Sequence, residues 1–290
     1  MSRQSTEQQI TSYILDNFKQ NKVPWRPDYT TDGRCISIPL RNCLTPYRGI
    51  NTLVLLVSAI ANEFTSPHWL TFKQCQSLGG NVKGQKGTRI IKYGTFEKEP
   101  DKAGEDPKTL KYIRKFSVFN VEQCSGLPAD YLNSRTVSVT CEHTLHDFAN
   151  AMGVKILHGN NQGAYYHKVD TIRMPNLENF KSEDAYAATF AHELCHSTGY
   201  HTRLDRTLGS EDEAETATEE LIAEIGSALL LTRLGIPAEM EQRTVPYIAS
   251  WIEALENDPK HILKASAAAQ KAVDYILDSV EQNPVQKNAA

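Results

Sequence analysis

Ile10, Tyr13, Ile14 and Phe18 recur at the spacing of one helix face, which predicts an amphipathic helix over 5–20. It should end before Pro24, because proline disfavours the helical conformation of its predecessor. After a turn-rich stretch over 24–46, the run 51–62 has the length and apolar content of a buried helix. Gly79-Gly80 and Lys83-Gly84-Gln85-Lys86-Gly87 predict turns framing a strand over 88–93, and 116–121 reads as another strand. Between those strands, 97–109 is polar with two prolines and a glycine, the composition of an exposed loop. This half is expected to be mixed α and β.

A second punctuated stretch over 126–135 places a domain boundary near residue 130, dividing the chain into 1–130 and 131–290. Beyond it the pattern predicts a helix over 141–152 and a β-like segment over 164–174, ended by Pro175. A further helix should begin at Ser182, whose side chain can cap it while Glu183 and Asp184 favour the positive end of its dipole. Gly199 is expected to close it in a left-handed turn. Three more helices follow, over 215–234 up to Gly235-Ile236-Pro237, over 245–256 and over 261–280. The fold class is α+β in two domains.

Composition narrows the function classes. With 290 residues, 40% hydrophobic and 23% charged, the chain has the make-up of a soluble globular protein and is neither disordered nor collagen-like. The longest apolar run, 50–60, is interrupted by Asn51, Thr52 and Ser58 and falls short of the roughly 20 residues a membrane helix needs. No membrane partner is expected, and because the first residues hold no secretory signal, the expected location is cytoplasmic. The six cysteines (Cys35, Cys43, Cys75, Cys124, Cys141 and Cys195) contain no C-x-x-C pair, which argues against a disulfide framework or a cysteine-rich zinc site. Charge is segregated along the chain. From Arg34 to Lys92 eight bases face Glu63 alone, whereas from Asp205 to Glu224 eight acids face Arg206 alone.

His192-Glu193-Leu194-Cys195-His196 is an H-E-x-x-H sequence inside the helix capped by Ser182. At 3.6 residues per turn, His192 and His196 project from one side toward a single zinc or other divalent ion, and Glu193 stands beside the open position as general base. For the third ligand, His201 is one residue too early for the pattern in which a glycine and a third histidine follow at fixed spacing. The stretch Glu219 to Glu224 offers a better source, with Glu220 as the preferred ligand, Glu219 and Glu224 as alternatives, and Glu224 as the acid that orients a ligand histidine. Two histidines and one glutamate are the ligand set of thermolysin-type peptidases, so the chemistry indicated is peptide hydrolysis, with Glu193 moving the proton to the leaving amine. The segment near Tyr165 is a candidate edge strand for an extended substrate, and Tyr200 or His201 a candidate oxyanion donor.

In the first half bases and aromatics are interleaved: Tyr47 and Arg48, Trp69 and Lys73, then Lys83, Lys86, Arg89 and Lys92. Cations tracking phosphates beside rings that stack on unpaired bases would bind single-stranded DNA, although Trp69 and Phe72 read equally well as core. The motifs PWRP at 24–27, YRGIN at 47–51, WLTFKQ at 69–74, LGGNVKGQKG at 78–87 and VFNVEQCSGLP at 118–128 resemble the N-terminal single-stranded-DNA-binding domain of ArdC-type antirestriction proteins. HELCHSTG at 192–199, RLDR at 203–206 and EELIAEIG at 219–226 are similar to the zincin-like metallopeptidase domain that follows it in that family. The resemblance implies a protein of conjugative plasmids or related mobile elements that protects incoming DNA from restriction. Two functions stay open: a DNA-coating protein, or a peptidase that DNA binding delivers to a protein substrate.

Overall fold

The computed structural model describes residues 6–20, 23–25, 38–98, 108–129, 131, 144–236 and 245–283. The first domain is laid against α2 (Ile50–Ala61), which begins at Gly49 with a positive φ of 54° and buries Leu53, Leu55 and Leu56 completely or nearly so. Each such leucine contributes about 1.5–3 kcal/mol of hydrophobic stabilisation. Against α2 packs a three-stranded antiparallel sheet in the order β1-β3-β2, formed by β1 (Trp69–Thr71), β2 (Thr88–Lys98) and β3 (Lys108–Asn120). Trp69 pairs with Asn120, and Thr88 with Val118 through Lys98 with Lys108. A short helix α3 (Phe72–Ser77) starts at a capping box, in which Thr71 and Gln74 each satisfy the other's backbone N–H.

The sheet departs from the expected pattern in length. β2 and β3 run on through both ends of the stretch read as a loop, whose centre, 99–107, lies outside the described residues. Leu110 and Ile113, beyond Ile91, are exposed, as is Phe116 opposite the buried Ile90. Cross-strand hydrogen bonds hold this outer part of the ribbon without the apolar alternation that reveals a half-buried strand.

In the second domain α4 (Leu145–Ala151) leads to a sheet ordered β4-β6-β5, from β4 (Lys155–His158), β5 (Ala164–Tyr166) and β6 (Thr171–Met174). β4 runs parallel and β5 antiparallel to β6, so β5 is an edge strand. Four helices follow: α5 (Glu183–Ser197), α6 (Glu213–Leu234), α7 (Val245–Asn257) and α8 (His261–Gln282). α6 touches the other three and is buried along most of its length. Ser182 caps α5, its hydroxyl accepting the N–H of Ala185 at 3.0 Å. Gly235 (φ 71°) ends α6 as expected, whereas Gly199 is not left-handed. Instead α5 closes through tight bonds from the N–H groups of Thr198 and Gly199 to the Cys195 and His196 carbonyls, at 3.2 and 2.8 Å. Glycine is needed at 199 for space, since a Cβ there would lie 3.0 Å from Leu208 and 3.2 Å from Arg206.

The main core joins both halves of the sequence. α1 (Thr6–Phe18) packs on α7, with Phe18 5.7 Å from Trp25 and 5.6 Å from Trp251 between ring centroids. The Gly49 N–H donates to Gln270 Oε1 at 2.7 Å, and Arg48 pairs with Asp274, so the start of α2 is tied to α8. The boundary expected near residue 130 borders 132–143, which lie outside the described residues, as do 141–143 of the expected helix and Pro237. No described helix is long and apolar enough to cross a membrane.

α5 and α6 pack tightly at Gly226, where a Cβ would lie 2.8 Å from the buried Cys195 Sγ. Gly226→Ala should therefore lower stability by about 1–3 kcal/mol through overpacking, despite alanine's better helix propensity. In a thermal-unfolding cycle, combining it with Cys195→Ala should be less destabilising than the sum of the single changes. Additive effects would mean that the two side chains do not compete for that space.

Candidate metal centre

His192 and His196 lie four residues apart on α5 and face α6, while Ala191, Leu194 and Cys195 are buried in the core. The two Nε2 atoms are 3.0 Å apart, and Glu220 of α6 reaches both, Oε2 at 3.3 Å from His192 and Oε1 at 3.5 Å from His196. Ligand atoms of these three residues all lie within 4.8 Å of one another. Donors at about 2.0–2.1 Å from a tetrahedral ion stand about 3.3 Å apart, so the spacing and the N, N, O donor set fit one divalent cation such as zinc.

Behind the ligands the acids divide between the two rings. Glu219 Oε1 lies 3.1 Å from His196 Nδ1 and so orients that ring, while Glu224, the acid expected to orient a ligand histidine, stands behind His192. Glu224 is buried with Oε2 4.0 Å from His192 Nδ1, at the edge of contact with the other ligand ring. Arg206 grips Glu219 with Nε and Nη2 at 2.9 and 2.8 Å and also donates to Thr198 Oγ1 and the Cys195 carbonyl. Its role is missing from the sequence reading, although it is the single base within the acidic stretch 205–224.

Burial opposes a charge on His196, but hydrogen bonds to Glu219 and Glu220 prevail and push its pKa up to about 10. Burial likewise raises Glu220, yet the two histidines hold its carboxyl far below the usual range. For Glu219, burial is outweighed by Arg206 and His196, and the carboxyl is again lowered. A pocket that stabilises a proton between two imidazoles and a carboxylate also suits a dication, which would release that proton on binding.

Glu193, only 4% exposed, follows His192 on α5 and borders the same cavity of 360 Å³. Its Oε2 accepts the N–H of Tyr165 at 2.7 Å, which joins the acid to edge strand β5. Tyr165 is held in turn by Asp170, which accepts its hydroxyl at 2.7 Å and the forked guanidinium of Arg203. Tyr200 and His201 do not line the cavity. Their ring centroids lie 4.2 Å apart with the planes tilted by 53°, and the Arg203 guanidinium lies over the Tyr200 ring, so neither an oxyanion role nor ligation by His201 has geometric support. His167 and Tyr247, unmarked by any motif, line the cavity instead.

In the first domain, Tyr47 is buried under the Arg41 guanidinium and Trp69 is 1% exposed, so both rings belong to the core and present no face to a base. Contrary to the expectation of two stacking rings, they pack with Leu55, Ala59, Ile90 and Val118 and fill the space between α2 and the sheet. The charge of Arg48 is offset by Asp274. Lys73 on α3, Lys83 and Lys86 in the turns, and Arg89 and Lys92 on β2 are all exposed.

Residues 4–119 match the family described as the N-terminal domain of anti-restriction factor ArdC, and residues 143–268 match a zincin-like metallopeptidase family. The crystal structure of the antirestriction ArdC protein from plasmid R388, free of metal, superposes with a TM-score of 0.82 at 34% identity, covering 97% of this chain and all of that one. Its Mn(II)-bound form gives 0.78 over 95% and 98% of the two chains. A DNA primase TraC of Escherichia coli is 36% identical across 97% of this chain, which spans only 28% of that larger protein. The uncharacterized protein y4eC of Sinorhizobium fredii is 29% identical over 97% of this chain and 94% of its own length.

Metal content separates the roles of the neighbouring acids. His196→Ala and Glu220→Gln should each abolish stoichiometric binding of a divalent ion. Glu219→Gln should keep the site but weaken its affinity by about 10–100-fold, as expected for a partner that orients a ligand. Loss of all metal from Glu219→Gln, with retention in Glu220→Gln, would move the ligand assignment by one position.

Proposed function

The chain belongs to the ArdC antirestriction family, and from that membership we propose that it binds single-stranded DNA through its N-terminal domain and shields incoming plasmid DNA from restriction. The observation that carries this reading is the exposed set Lys73, Lys83, Lys86, Arg89 and Lys92 in a stretch whose only acid is Glu63. Such a surface attracts phosphates irrespective of sequence, as protection of an arbitrary plasmid requires. The strand would be met in the cytoplasm during conjugation. His192, His196 and Glu220 hold a divalent cation in the second domain, zinc or a metal of similar chemistry.

A second reading, that the protein cleaves a partner, is supported by Glu193 beside the ligands and by edge strand β5 along the same cavity. An extended peptide added to β5 would bring its backbone past Glu193. The bound cation would supply Lewis acidity. Glu193 would take up and deliver the proton, its orientation held by the Tyr165 N–H.

Two measurements test these readings. The intact protein should bind an oligothymidylate more tightly than duplex of equal length, with affinity falling as salt rises, and Lys86→Gln should reduce the salt slope by about one. Preference for duplex would contradict the proposal. Glu193→Gln preserves an oxygen acceptor for Tyr165, so fold, metal and DNA affinity should persist while any proteolysis falls by about a hundredfold or more. Protection of a transferred plasmid should survive in that variant. If protection disappears while DNA binding is normal, cleavage of a partner is the effector.

A further inference from the structure

With Tyr47 and Trp69 in the core, an unpaired base needs another ring. Tyr13 of α1 is 43% exposed and forms part of the wall of a groove of 910 Å³ between α1, α2 and the turn leading into β2. The floor of the groove is apolar, built from Ile10 and Ile14 of α1 and Leu53, Val54 and Val57 of α2. Its opposite rim carries Lys86 and Arg89. Small-ligand sites occupy about 300–1,000 Å³, so the groove has room for a base with part of its sugar-phosphate.

The rim is held in place. Gly84 has φ 79°, open to glycine, and a Cβ on Gly87 would meet the Phe119 ring at 2.9 Å, so the turn lies tight against the sheet. Gln123 Nε2 donates to the Lys86 carbonyl at 3.2 Å, and the Ser58 and Thr88 hydroxyls join at 2.7 Å across the groove between α2 and β2. The cations are thus presented from a fixed backbone beside an apolar slot.

We infer that this groove seats an unpaired base of single-stranded DNA, stacked on Tyr13, with Lys86 and Arg89 taking the flanking phosphates. The inference rests on the proposal that the domain binds single strands, and it adds the seat and the source of discrimination. A base has an apolar face and negatively charged neighbours, which complement the floor and the rim. In a duplex those faces are stacked between neighbouring pairs and cannot enter, whereas in a single strand they are free. One ring and two cations contact features shared by all nucleotides, so the site carries little base preference.

The test uses the full chain and two strands of equal length, an oligothymidylate and one whose central nucleotides are abasic. Tyr13→Leu should weaken oligothymidylate binding by about five- to hundredfold, the range for one lost base stack. The same variant should bind the abasic strand like the wild type, and Tyr13→Phe should restore tight oligothymidylate binding. A strand carrying halogenated uracil should photocrosslink to Tyr13. An equal loss on both strands would assign Tyr13 a structural role and overturn the inference, as would normal oligothymidylate binding by Tyr13→Leu. Wild-type protein that binds neither strand would remove the single-strand reading itself, a result distinct from failure of the groove. Binding of an apolar helical peptide in the groove, with strand affinity unaffected by Tyr13→Leu, would mark it as a protein site.

Discussion

The metal centre depends on a largely buried charge pair, Arg206 with Glu219. Each ion loses several kcal/mol of hydration on burial, a cost offset only where geometry and additional hydrogen bonds are good. Here Arg206 makes two bonds to the carboxylate and two more to Thr198 and the Cys195 carbonyl, and Glu219 passes the constraint to His196 Nδ1. The pair therefore sets the orientation of a ligand ring more than it adds to stability. Its four-way grip also links the C-terminal turn of α5 to the early part of α6, and the two helices can meet this closely because residue 226 has no Cβ to strike Cys195.

A second constraint couples the domains. One face of α1 puts Ile10, Ile14 and Phe18 into the main core, where Phe18 meets Trp251 of α7, while Tyr13 on the same helix lines the groove. α2 does likewise, with its start tied to α8 and its far end beside the groove. The elements proposed to face DNA are consequently built on the helices that support the zincin-like fold. Cutting the chain in mid-sequence would expose Leu53, Val57 and Phe18 together, which explains why a sequence boundary is not a boundary of the core.

Features with a local cause were readable in the sequence: the Ser182 cap, the Gly235 stop, the buried helix α2, and the paired histidines of α5 with Glu220. Where the cause is tertiary, reading failed in specific ways. Trp69 and Tyr47 look like stacking rings because they sit among bases, but their burial depends on strands and helices far apart in sequence. The outer part of the ribbon of β2 and β3, beyond Ile91, exposes Leu110 and Ile113 and so shows no clear period of two. Which histidine Glu219 or Glu224 stands behind depends on how α6 packs on α5, which the spacing of acids along one helix does not reveal. Thr71 and Gln74 were a missed local signal: a threonine followed three residues later by glutamine is a capping box, and it starts α3.

Segregation of charge then acquires a structural meaning. The acids of 205–224 divide into Glu219, Glu220 and Glu224, buried or partly buried at the metal centre, and an exposed group, Asp205 with Glu211, Asp212, Glu213 and Glu215 around the start of α6. Glu215 bonds Ser210, which lines the metal cavity, so negative charge stands at its mouth. Exposed charges act over a Debye length of about 8 Å at physiological salt, far enough for these carboxylates to repel a phosphate chain approaching the cavity. The exposed bases of the first domain, Lys73, Lys83, Lys86, Arg89 and Lys92, would attract the same chain. DNA and a polypeptide would thus be sorted by the sign of the surface they meet, and the two domains could serve different polymers without competition for one site.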